Sequence, residues 1–474
     1  MELDKDLAAR QEARQLCARA EEAQRILAAM PQEKLDAITQ QIAQAFSSAA
    51  EELAELAVKE TGFGNVQDKT EKNRFASREV YAAIRDMKTV GVLSVQEQEK
   101  IWQIGVPVGV IAAIVPSTNP TSTICYKALI ALKAGNAIVF SPHPKALQCS
   151  LRASQIVMDA ARAAGAPDCC VSCLSLASMA GCQELMAAPQ VKLILATGGP
   201  AMVRAAYSSG KPAIGVGAGN GPAYIHHSAD VQHALRCILR SKNFDYGTIC
   251  ASEQSIIVEK SMEDKVRSAA KSMGYYFMST DEAGALAKLL FKPNGTLNPD
   301  IVGRPATELA KKAGFSVPAD TKILVAREQE AGPTRPYSME KLCPVLAFFV
   351  MESEDAVLQK AVEVLTHEGS GHTFAMHCSD ESVVRKFALQ IPVSRFPVNT
   401  PAALGGIGAT TGLFPALTLG CGAVGGSSTS NNISPLDLIN IRRVAWDLGR
   451  YPEKAPVSDD LVERITAKIL ERLG

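Results

Sequence analysis

The chain has no excess of charge of either sign and few aromatic side chains. Its 474 residues contain 49 Lys and Arg against 49 Asp and Glu, and only two Trp. A chain without net charge lacks the basic excess that attracts nucleic acid or an anionic membrane, so we expect neither as a partner. The predicted partners are small molecules and other protein surfaces.

Long hydrophobic runs are also missing. No apolar stretch approaches the length of a membrane span, and the first six residues are rich in charge where a signal peptide needs an apolar core. We therefore expect a cytoplasmic protein. Its twelve cysteines are scattered, which argues against a disulfide framework, and a reducing compartment would keep them as thiols. The length and the 47% hydrophobic content favour two or three globular domains.

The order of the apolar runs predicts an α/β fold. Residues 7–60 have helical periodicity, and residues 92–105 alternate between flanking glycines as in a hairpin arm. From residue 106, predicted strands (109–115, 137–140, 169–174, 191–195, 213–216) alternate with predicted helices (122–134, 145–164, 177–187, 201–209). This repetition implies a parallel, doubly wound sheet that is covered on both faces.

Ligands of such sheets bind at the carboxyl ends of the strands. The segments that follow the predicted strands should therefore surround one crevice: 116–120, 141–144, 197–200 and 217–221. The usual nucleotide fingerprint Gly-x-Gly-x-x-Gly is missing there, because Asn220 and Pro222 break the spacing. The turn from Thr197 to Pro200 lies between a strand and a helix, and it is either a phosphate-binding turn or a plain loop.

A second, less regular unit is predicted from about residue 229, with helices 261–273 and 354–367 and strands 322–327 and 345–352. It carries Cys250, which follows a Gly-Thr turn and precedes the apolar run 255–258, as an exposed nucleophile would. The simpler interpretation of one cysteine among twelve is a small buried hydrophobic residue.

Several motifs in order resemble the aldehyde dehydrogenase superfamily over residues 5–450. They are Pro116-Ser-Thr-Asn-Pro120, Ala196-Thr-Gly-Gly-Pro200, Gly247-Thr-Ile-Cys-Ala-Ser-Glu253, Glu340-Lys-Leu-Cys-Pro344, Gly371-His-Thr373 and the tail from Ser428 to Arg443. The sequence is similar in particular to the CoA-acylating branch, the acetaldehyde and propionaldehyde dehydrogenases of ethanolamine, propanediol and choline breakdown.

The resemblance implies an aldehyde dehydrogenase-like α/β fold with an NAD site that lacks the glycine fingerprint. Residues 1–228 would form a Rossmann-like cofactor domain, with the arm 92–105 used for oligomerisation. Residues 229–425 would form an α/β catalytic domain, and residues 426–450 would return to the cofactor domain and the oligomer contact. A homodimer or homotetramer is implied.

The resemblance also implies roles for single residues. A low-pKa Cys250 thiolate would attack the aldehyde, the amides of Asn119 and of the Cys250 backbone would hold the oxyanion, and His372 would be a third catalytic residue. Glu340 would hold the nicotinamide ribose. The other implied cofactor contacts are Pro116, Ser117, Thr118, Ser141, Pro142, Thr197, Gly198, Gly199 and Gly217.

Each of these residues has a simpler interpretation. Asn119 beside Pro120 could be a turn former, and Glu340 an exposed loop carboxylate. His372 could be a structural hydrogen-bond donor instead of a group near the CoA thiol.

A cluster of cysteines (Cys169, Cys170, Cys173 and Cys182) suggests a metal site. On a strand, however, Cys170 and Cys173 would point to opposite faces. We therefore predict no metal ligands and interpret the four as small core residues.

The reaction is predicted from a missing carboxylate. Hydrolytic members of the superfamily carry a glutamate that activates water and that opens a Glu-Leu-Gly-Gly-Lys type motif. Aligning Gly215 to Pro222 with that motif places Val216 or its neighbour at the position of the glutamate. No carboxylate occurs from Tyr207 to His227. The acyl group on Cys250 would then go to the thiol of CoA. Nothing acidic follows Ser141 to repel a 2′-phosphate, so the site could take NADP in place of the expected NAD. The same residues would also fit a hydrolytic aldehyde dehydrogenase, a cysteine hydrolase without a redox step, or a non-enzymatic shell or scaffold protein.

Residues 451–474 are predicted to be a linker and an amphipathic helix. Pro452 to Pro456 reads as the linker, and Ser458 is a good N-cap for a helix whose apolar residues recur on one face. The helix either docks on this protein or a sister subunit, or resembles the encapsulation peptides that direct enzymes of this branch to the shell of a bacterial microcompartment.

Overall fold

A computed structural model describes residues 4–450 and 458–474. The α-helices are α1 (Lys5–Ala28), α2 (Gln32–Ser48), α3 (Ala50–Thr61), α4 (Val66–Arg74), α5 (Val80–Ile84), α6 (Pro120–Lys133), α7 (Leu147–Ala163), α8 (Met179–Ala187), α9 (Pro200–Tyr207), α10 (Val231–Asn243), α11 (Glu263–Lys271), α12 (Thr280–Leu290), α13 (Ala306–Lys312), α14 (Glu354–His367), α15 (Glu381–Ala388), α16 (Ala402–Gly406) and α17 (Asp459–Leu473).

The strands are β1 (Gly91–Gln96), β2 (Ile101–Pro107), β3 (Val110–Ile114), β4 (Ala137–Ser141), β5 (Val171–Cys173), β6 (Val191–Thr197), β7 (Ala213–Val216), β8 (Gly221–Ile225), β9 (Glu253–Glu259), β10 (Tyr275–Phe277), β11 (Ile323–Arg327), β12 (Val345–Met351), β13 (Gly371–Thr373), β14 (Ala375–His377), β15 (Val393–Arg395) and β16 (Ile439–Ala445).

The first sheet is parallel and has the order β5-β4-β3-β6-β7, which confirms the predicted doubly wound architecture. Its strands are short apolar runs because helices cover both faces; every residue of β3 and β4 is buried. The order reverses next to β3, and ligands of such sheets bind at this kind of switch point. The first helices, α1 and α2, pack their apolar stripes into the same core.

The second sheet has the order β10-β11-β12-β9-β8-β14, with every neighbouring pair parallel. Separate hydrophobic clusters cover its two faces. It begins with β8, which lies before the domain boundary expected at residue 229. The sequence shows no sign of this, because the run from Gly221 to Ile225 is as short and apolar as the strands of the first sheet.

The expected hairpin arm is present. Strands β1 and β2 are antiparallel, and β16 adds to β2 as a third antiparallel strand. Trp102 and Trp446 meet edge to face across this sheet, with ring centroids 5.0 Å apart. The role of the arm in oligomerisation stays a prediction.

The predicted terminal helix is present as α17, capped by the side chain of Ser458, which accepts from the amide of Leu461. None of its side chains is buried. The predicted linker, residues 452–456, lies outside the described residues. Among the helices of residues 4–450 and 458–474, none combines the length and hydropathy that a membrane span requires.

Candidate active site

A cavity of about 660 Å³ lies at the carboxyl ends of the first sheet and reaches into the second unit. Segments that follow β3, β4, β6 and β7 form its wall, as the sequence predicts. Of the predicted site residues, those that line this cavity are Cys250, Asn119, Pro116, Ser117, Thr118, Ser141, Pro142, Thr197, Gly198, Gly199, Gly217 and Glu340. His372 is the exception and does not line it.

Cys250 is half-buried and lies between an unusual turn and the buried central strand β9. In that turn, Asp245 and Tyr246 adopt φ of 48° and 51°, a left-handed conformation that residues other than glycine seldom adopt. Such residues cost about 1–3 kcal/mol each unless their surroundings hold them. Asp245 is held by hydrogen bonds from Lys69, Lys72 and Thr248, so the turn that presents the thiol is fixed.

A low-pKa thiolate at Cys250 stays a prediction, and the surroundings of the thiol in this structure oppose it. Protein atoms surround the thiol, and this burial, together with the negative charges of Glu340 and Cys421, raises the pKa of Cys250 to about 12. Arg395 is the positive group that opposes the shift. These surroundings favour the protonated thiol over the thiolate, so a group that accepts its proton would assist its attack on a carbonyl.

Asn119 occupies the N-cap position of α6, but its side chain caps no helix amide. Its carbonyl Oδ1 accepts a hydrogen bond of 2.5 Å from Nζ of Lys72, and its Nδ2 lies 3.3 Å from the carbonyl oxygen of Thr248. A turn former would use the side chain on its own backbone. Here the amide is instead turned toward the loop that carries Cys250.

Lys72 is a site residue that the sequence analysis missed. It is 3% exposed, lines the cavity, and donates to Asn119 Oδ1, to Asp245 Oδ2 at 2.5 Å and to Thr248 Oγ1 at 2.8 Å. Burial lowers the pKa of Lys72 to about 8, while Asp245 acts to raise it. One buried cation thus joins the side chain of Asn119 to the strained turn before Cys250.

Lys69, one helical turn earlier on α4, is the natural comparison for Lys72. It also bonds Asp245 Oδ2, at 2.9 Å, but its other partner is the backbone carbonyl of Thr118 and not Asn119. In the sequence, Lys69 and Lys72 are only two lysines of a polar helix. Their shared partner, Asp245, lies more than 170 residues away along the chain, so no local pattern indicates the contact.

Glu340 is half-buried, unlike the exposed loop carboxylate of the simpler interpretation. Its Oε1 accepts from the amide of Gly219 at 2.9 Å, and its own amide donates to Glu368. Burial, with a further contribution from Glu368, raises the pKa of Glu340 to about 8. A carboxyl group next to the thiol can therefore hold or release a proton near neutral pH.

The glycines that fail the nucleotide fingerprint have another purpose. A Cβ added to Gly219 would lie 1.9 Å from the backbone oxygen of Cys250. The loop between β7 and β8 therefore passes directly over the cysteine while it donates to Glu340. Only a residue without a side chain allows this approach.

His372 is fully buried in β13, where Nδ1 lies 2.9 Å from Thr373 Oγ1 and Nε2 has no hydrogen-bond partner among the described residues. Burial and the neighbouring Arg395 lower the pKa of His372 to about 3, so the imidazole is neutral. It does not line the cavity of Cys250, and its catalytic role stays a prediction. Arg395, a second residue that the sequence analysis missed, is buried beside both and donates to the Gly420 carbonyl at 2.7 Å.

The turn after β6 suits the phosphates of a dinucleotide. Gly199 is the N-cap of α9, no side chain caps that helix end, and Thr197 Oγ1 is buried without a hydrogen-bond partner among the described residues. These donors face the cavity, where a pyrophosphate would accept from them. Glu340 is the one carboxylate that lines the cavity within the described part of the chain.

A second cavity of about 650 Å³ shares Lys72, Ile407 and Leu417 with the first. Its wall carries more basic than acidic side chains, with Arg74, Arg78, Arg236, Arg240 and Lys322 against Asp68, Glu71 and Glu79. The two cavities therefore lie on either side of Lys72, Ile407 and Leu417.

A cavity of this size, formed by a parallel sheet, a cysteine and a fixed amide, suits a dehydrogenase that works through a covalent intermediate. The chain belongs to the aldehyde dehydrogenase family, whose model matches residues 4–274. It is 45% identical to the bifunctional aldehyde-alcohol dehydrogenase AdhE of Escherichia coli K12 over 91% of this chain and 49% of AdhE. It is 33% identical to the succinate-semialdehyde dehydrogenase (acetylating) of Clostridium kluyveri, over 91% of this chain and 95% of that protein. The chain thus spans about half the length of the curated aldehyde-alcohol dehydrogenases that it matches.

Similar solved structures lie in the same branch. An acetylating aldehyde dehydrogenase from Geobacillus thermoglucosidasius has a TM-score of 0.94 and 47% identity, over 96% of this chain and all of that one. A propionaldehyde dehydrogenase from the fucose utilisation microcompartment of Clostridium phytofermentans has a TM-score of 0.84 and 27% identity, over 92% and 97% of the two chains. The propionaldehyde dehydrogenase of Rhodopseudomonas palustris, with bound CoA and an acylated cysteine, has a TM-score of 0.84 and 29% identity over the same shares. The predicted resemblance to the acylating branch is confirmed.

Proposed function

We propose that this chain converts a short-chain aldehyde, such as acetaldehyde or propionaldehyde, and CoA to an acyl-CoA, reversibly, with NAD as the electron acceptor. The observation that carries the proposal is the wall of the Cys250 cavity at the end of β7. Val216 is buried there, where a hydrolytic enzyme of the family would present a carboxylate. The similar enzyme with bound CoA and an acylated cysteine supports the same reaction.

In the first step the sulfur of Cys250 bonds to the aldehyde carbon, and the carbonyl oxygen becomes an oxyanion. The side-chain amide of Asn119 and the backbone amide of Cys250 are the proposed donors to that oxyanion, and Lys72 holds the Asn119 side chain from its other end. Glu340 is the proposed acceptor of the thiol proton, because burial raises the pKa of Glu340 to about 8 and makes it a stronger base than an ordinary glutamate.

Loss of hydride from the resulting thiohemiacetal carbon leaves a thioester on Cys250. NAD or NADP would supply the hydride acceptor and a positively charged ring, bound with its phosphates along Thr197, Gly198 and Gly199 and its ribose on Glu340. The remaining proposed contacts are Pro116, Ser117, Thr118, Ser141, Pro142 and Gly217. With no carboxylate lining the cavity beside Ser141 in the described residues, the site suits either dinucleotide.

In the last step the thiol of CoA attacks the thioester and Cys250 leaves with the restored proton. Water is the competing nucleophile, and Glu340 is the one carboxylate that lines the cavity in the described residues. Its Oε1 already accepts from the Gly219 amide, which holds the carboxylate against the glycine loop. We therefore favour CoA over water, and a role for His372 near the CoA thiol stays a prediction.

The test follows NADH absorbance with acetaldehyde or propionaldehyde, with and without CoA. Sustained turnover that requires CoA, and that Cys250→Ala eliminates, supports the proposal. Equal turnover without CoA would favour a hydrolytic aldehyde dehydrogenase, and the absence of NADH with any aldehyde would favour a cysteine hydrolase or a non-enzymatic shell or scaffold protein.

We also propose that α17 docks this enzyme to the shell of a bacterial microcompartment. Its apolar residues Leu461, Ile465, Ile469 and Leu473 are 44% to 80% exposed and share one face, so the helix has a surface to bury and no partner within the described residues. A similar structure comes from such a compartment. The competing occupant is a sister subunit, which the arm β1-β2-β16 would bring close in the proposed homodimer or homotetramer.

A further inference from the structure

Two histidines and a glutamate meet at the carboxyl end of the second sheet, outside the cavity of Cys250. His226 and His227 directly follow β8, and Glu259 is the last residue of the neighbouring strand β9. None of them lines the catalytic cavity. The proposed reaction uses none of the three.

The spacing of these side chains suits a metal ion. One nitrogen from each histidine and one carboxylate oxygen of Glu259 all lie within 4.8 Å of one another. Of these atoms, His227 Nδ1 and Glu259 Oε1 are 3.4 Å apart. Around a tetrahedral ion with bonds of about 2.1 Å, neighbouring ligand atoms are about 3.4 Å apart. Because the His227 side chain is 62% exposed, its ring has room to adjust to a bound ion.

His226 gives an independent reason to expect a ligand. It is 1% exposed, and its Nε2 is buried without a hydrogen-bond partner among the described residues. A buried polar atom left unpaired costs free energy, which a bound ion would recover. The other nitrogen, Nδ1, lies 2.8 Å from Ser228 Oγ, a contact that fixes the ring. Ligating histidines are held in this way by their second nitrogen.

Charge at the site also suits a divalent cation. Glu354 Oε2 lies 3.5 Å from the unpaired Nε2 of His226, which adds a second carboxylate beside Glu259. Tyr224 donates to Glu259 Oε1 at 2.8 Å and fixes that carboxylate. Lys386 donates hydrogen bonds to the other oxygen of Glu354, Oε1, and to Asp355. Imidazole with carboxylate is a donor set for Zn²⁺ and similar transition metals, whereas Mg²⁺ and Ca²⁺ prefer oxygen alone.

We propose that His226, His227 and Glu259 bind one divalent transition-metal ion of the Zn²⁺ class, with Glu354 beside His226 as the fourth, outer carboxylate. The ion joins the end of β8 to the end of β9 and lies next to the start of α14. It therefore stabilises the second unit and takes no part in the chemistry at Cys250.

The test uses the full chain, stripped with a chelator and titrated with Co²⁺ and Zn²⁺. We expect one ion per chain, a visible Co²⁺ spectrum of tetrahedral type without thiolate charge transfer, and a higher Tm with Zn²⁺. His227→Gln and Glu259→Gln should each weaken binding at least as much as the roughly 10–100-fold that loss of an outer-shell partner produces. His233→Gln, which removes another exposed histidine, is the matched control and should bind as the parent does.

Three results would overturn the proposal: no binding at micromolar ion, binding that His227→Gln and Glu259→Gln leave unchanged, or a thiolate spectrum that places the ion on cysteines. His227 is exposed, so replacing it should leave the fold intact. The Tm of each variant without metal checks that it is folded. None of these readouts depends on aldehyde oxidation, so the site stands or fails separately from the proposed enzyme.

Discussion

Replacing Lys72 by Met tests whether a buried cation orients the oxyanion donor. The change removes three hydrogen bonds, to Asn119 Oδ1, Asp245 Oδ2 and Thr248 Oγ1. Breaking a buried ion pair costs about 3–5 kcal/mol when a lone charge remains. Asp245 keeps Lys69, Thr248 and the Asn65 amide, so we expect a smaller loss of unfolding free energy, about 2–3 kcal/mol.

Lys72→Met should also slow catalysis, because Lys72 positions the proposed oxyanion donor. Without Lys72, the Asn119 amide keeps only the long contacts of its Nδ2, 3.2 Å to Thr118 Oγ1 and 3.3 Å to the Thr248 carbonyl. Loss of one oxyanion donor lowers kcat about 10²–10³-fold, which sets the upper limit. We expect Lys72→Met to lower kcat/KM for the aldehyde about 10–100-fold, within that limit.

The assay compares kcat/KM and Tm for Lys72→Met, Asn119→Ala, the double variant and Lys69→Met. Lys69→Met is the matched control because Lys69 shares Asp245 but does not touch Asn119. It should lower Tm to a similar extent and kcat/KM much less. The double variant should be about as slow as Asn119→Ala alone, because Lys72 acts through Asn119. Fully multiplicative losses, or an equal loss of activity in Lys69→Met, would refute the reasoning.

Three further predictions rest on other parts of the site and fold. Glu340→Gln removes a negative charge that disfavours the Cys250 thiolate, so the pKa of the thiol should fall. The pH at which alkylation by iodoacetamide is half-maximal should then move down by about one pH unit. An unchanged or raised midpoint would contradict the coupling between Glu340 and Cys250. Gly219→Ala forces a Cβ onto the backbone of Cys250 and should lower kcat about 10²-fold or more and also reduce Tm. Gly284→Ala, at an open helical position, is the control and should lower neither. A fully active Gly219→Ala variant would exclude the close approach. Deleting residues 455–474 should abolish co-purification with shell proteins and leave solution activity intact. Replacing Leu461, Ile465 and Ile469 by serine should have the same effect, because these side chains are exposed. Encapsulation that survives both changes would exclude the docking role of α17.

The sequence predicts the parts of this fold that depend on local pattern. Strand β7 and helix α14 have the predicted bounds, because a strand buried on both faces reads as an apolar run and Ser353 marks the start of its helix. The crevice follows from the same pattern, since parallel strands bring their carboxyl ends to one edge. The cavity therefore contains every predicted site residue but His372.

What the sequence does not predict depends on distant contacts. Lys72 becomes a site residue only through Asp245, which is 173 positions away. The pKa of Cys250 depends on how deeply protein surrounds the thiol and on the approach of Glu340, and neither is visible in the motif around the cysteine. His372 belongs to a matching motif, yet it is fully buried in β13 and does not line the cavity.

The central claim is that Cys250 carries an acyl group until CoA takes it. The most direct measurement mixes the enzyme with acetaldehyde and NAD in the absence of CoA and follows both NADH and the intact mass of the protein. We predict a burst of about one NADH per active chain, an added acetyl mass on Cys250, and then no further turnover until CoA releases the group as acetyl-CoA. Continued NADH formation with free acetate and no acyl-enzyme, before any CoA is added, would contradict the account.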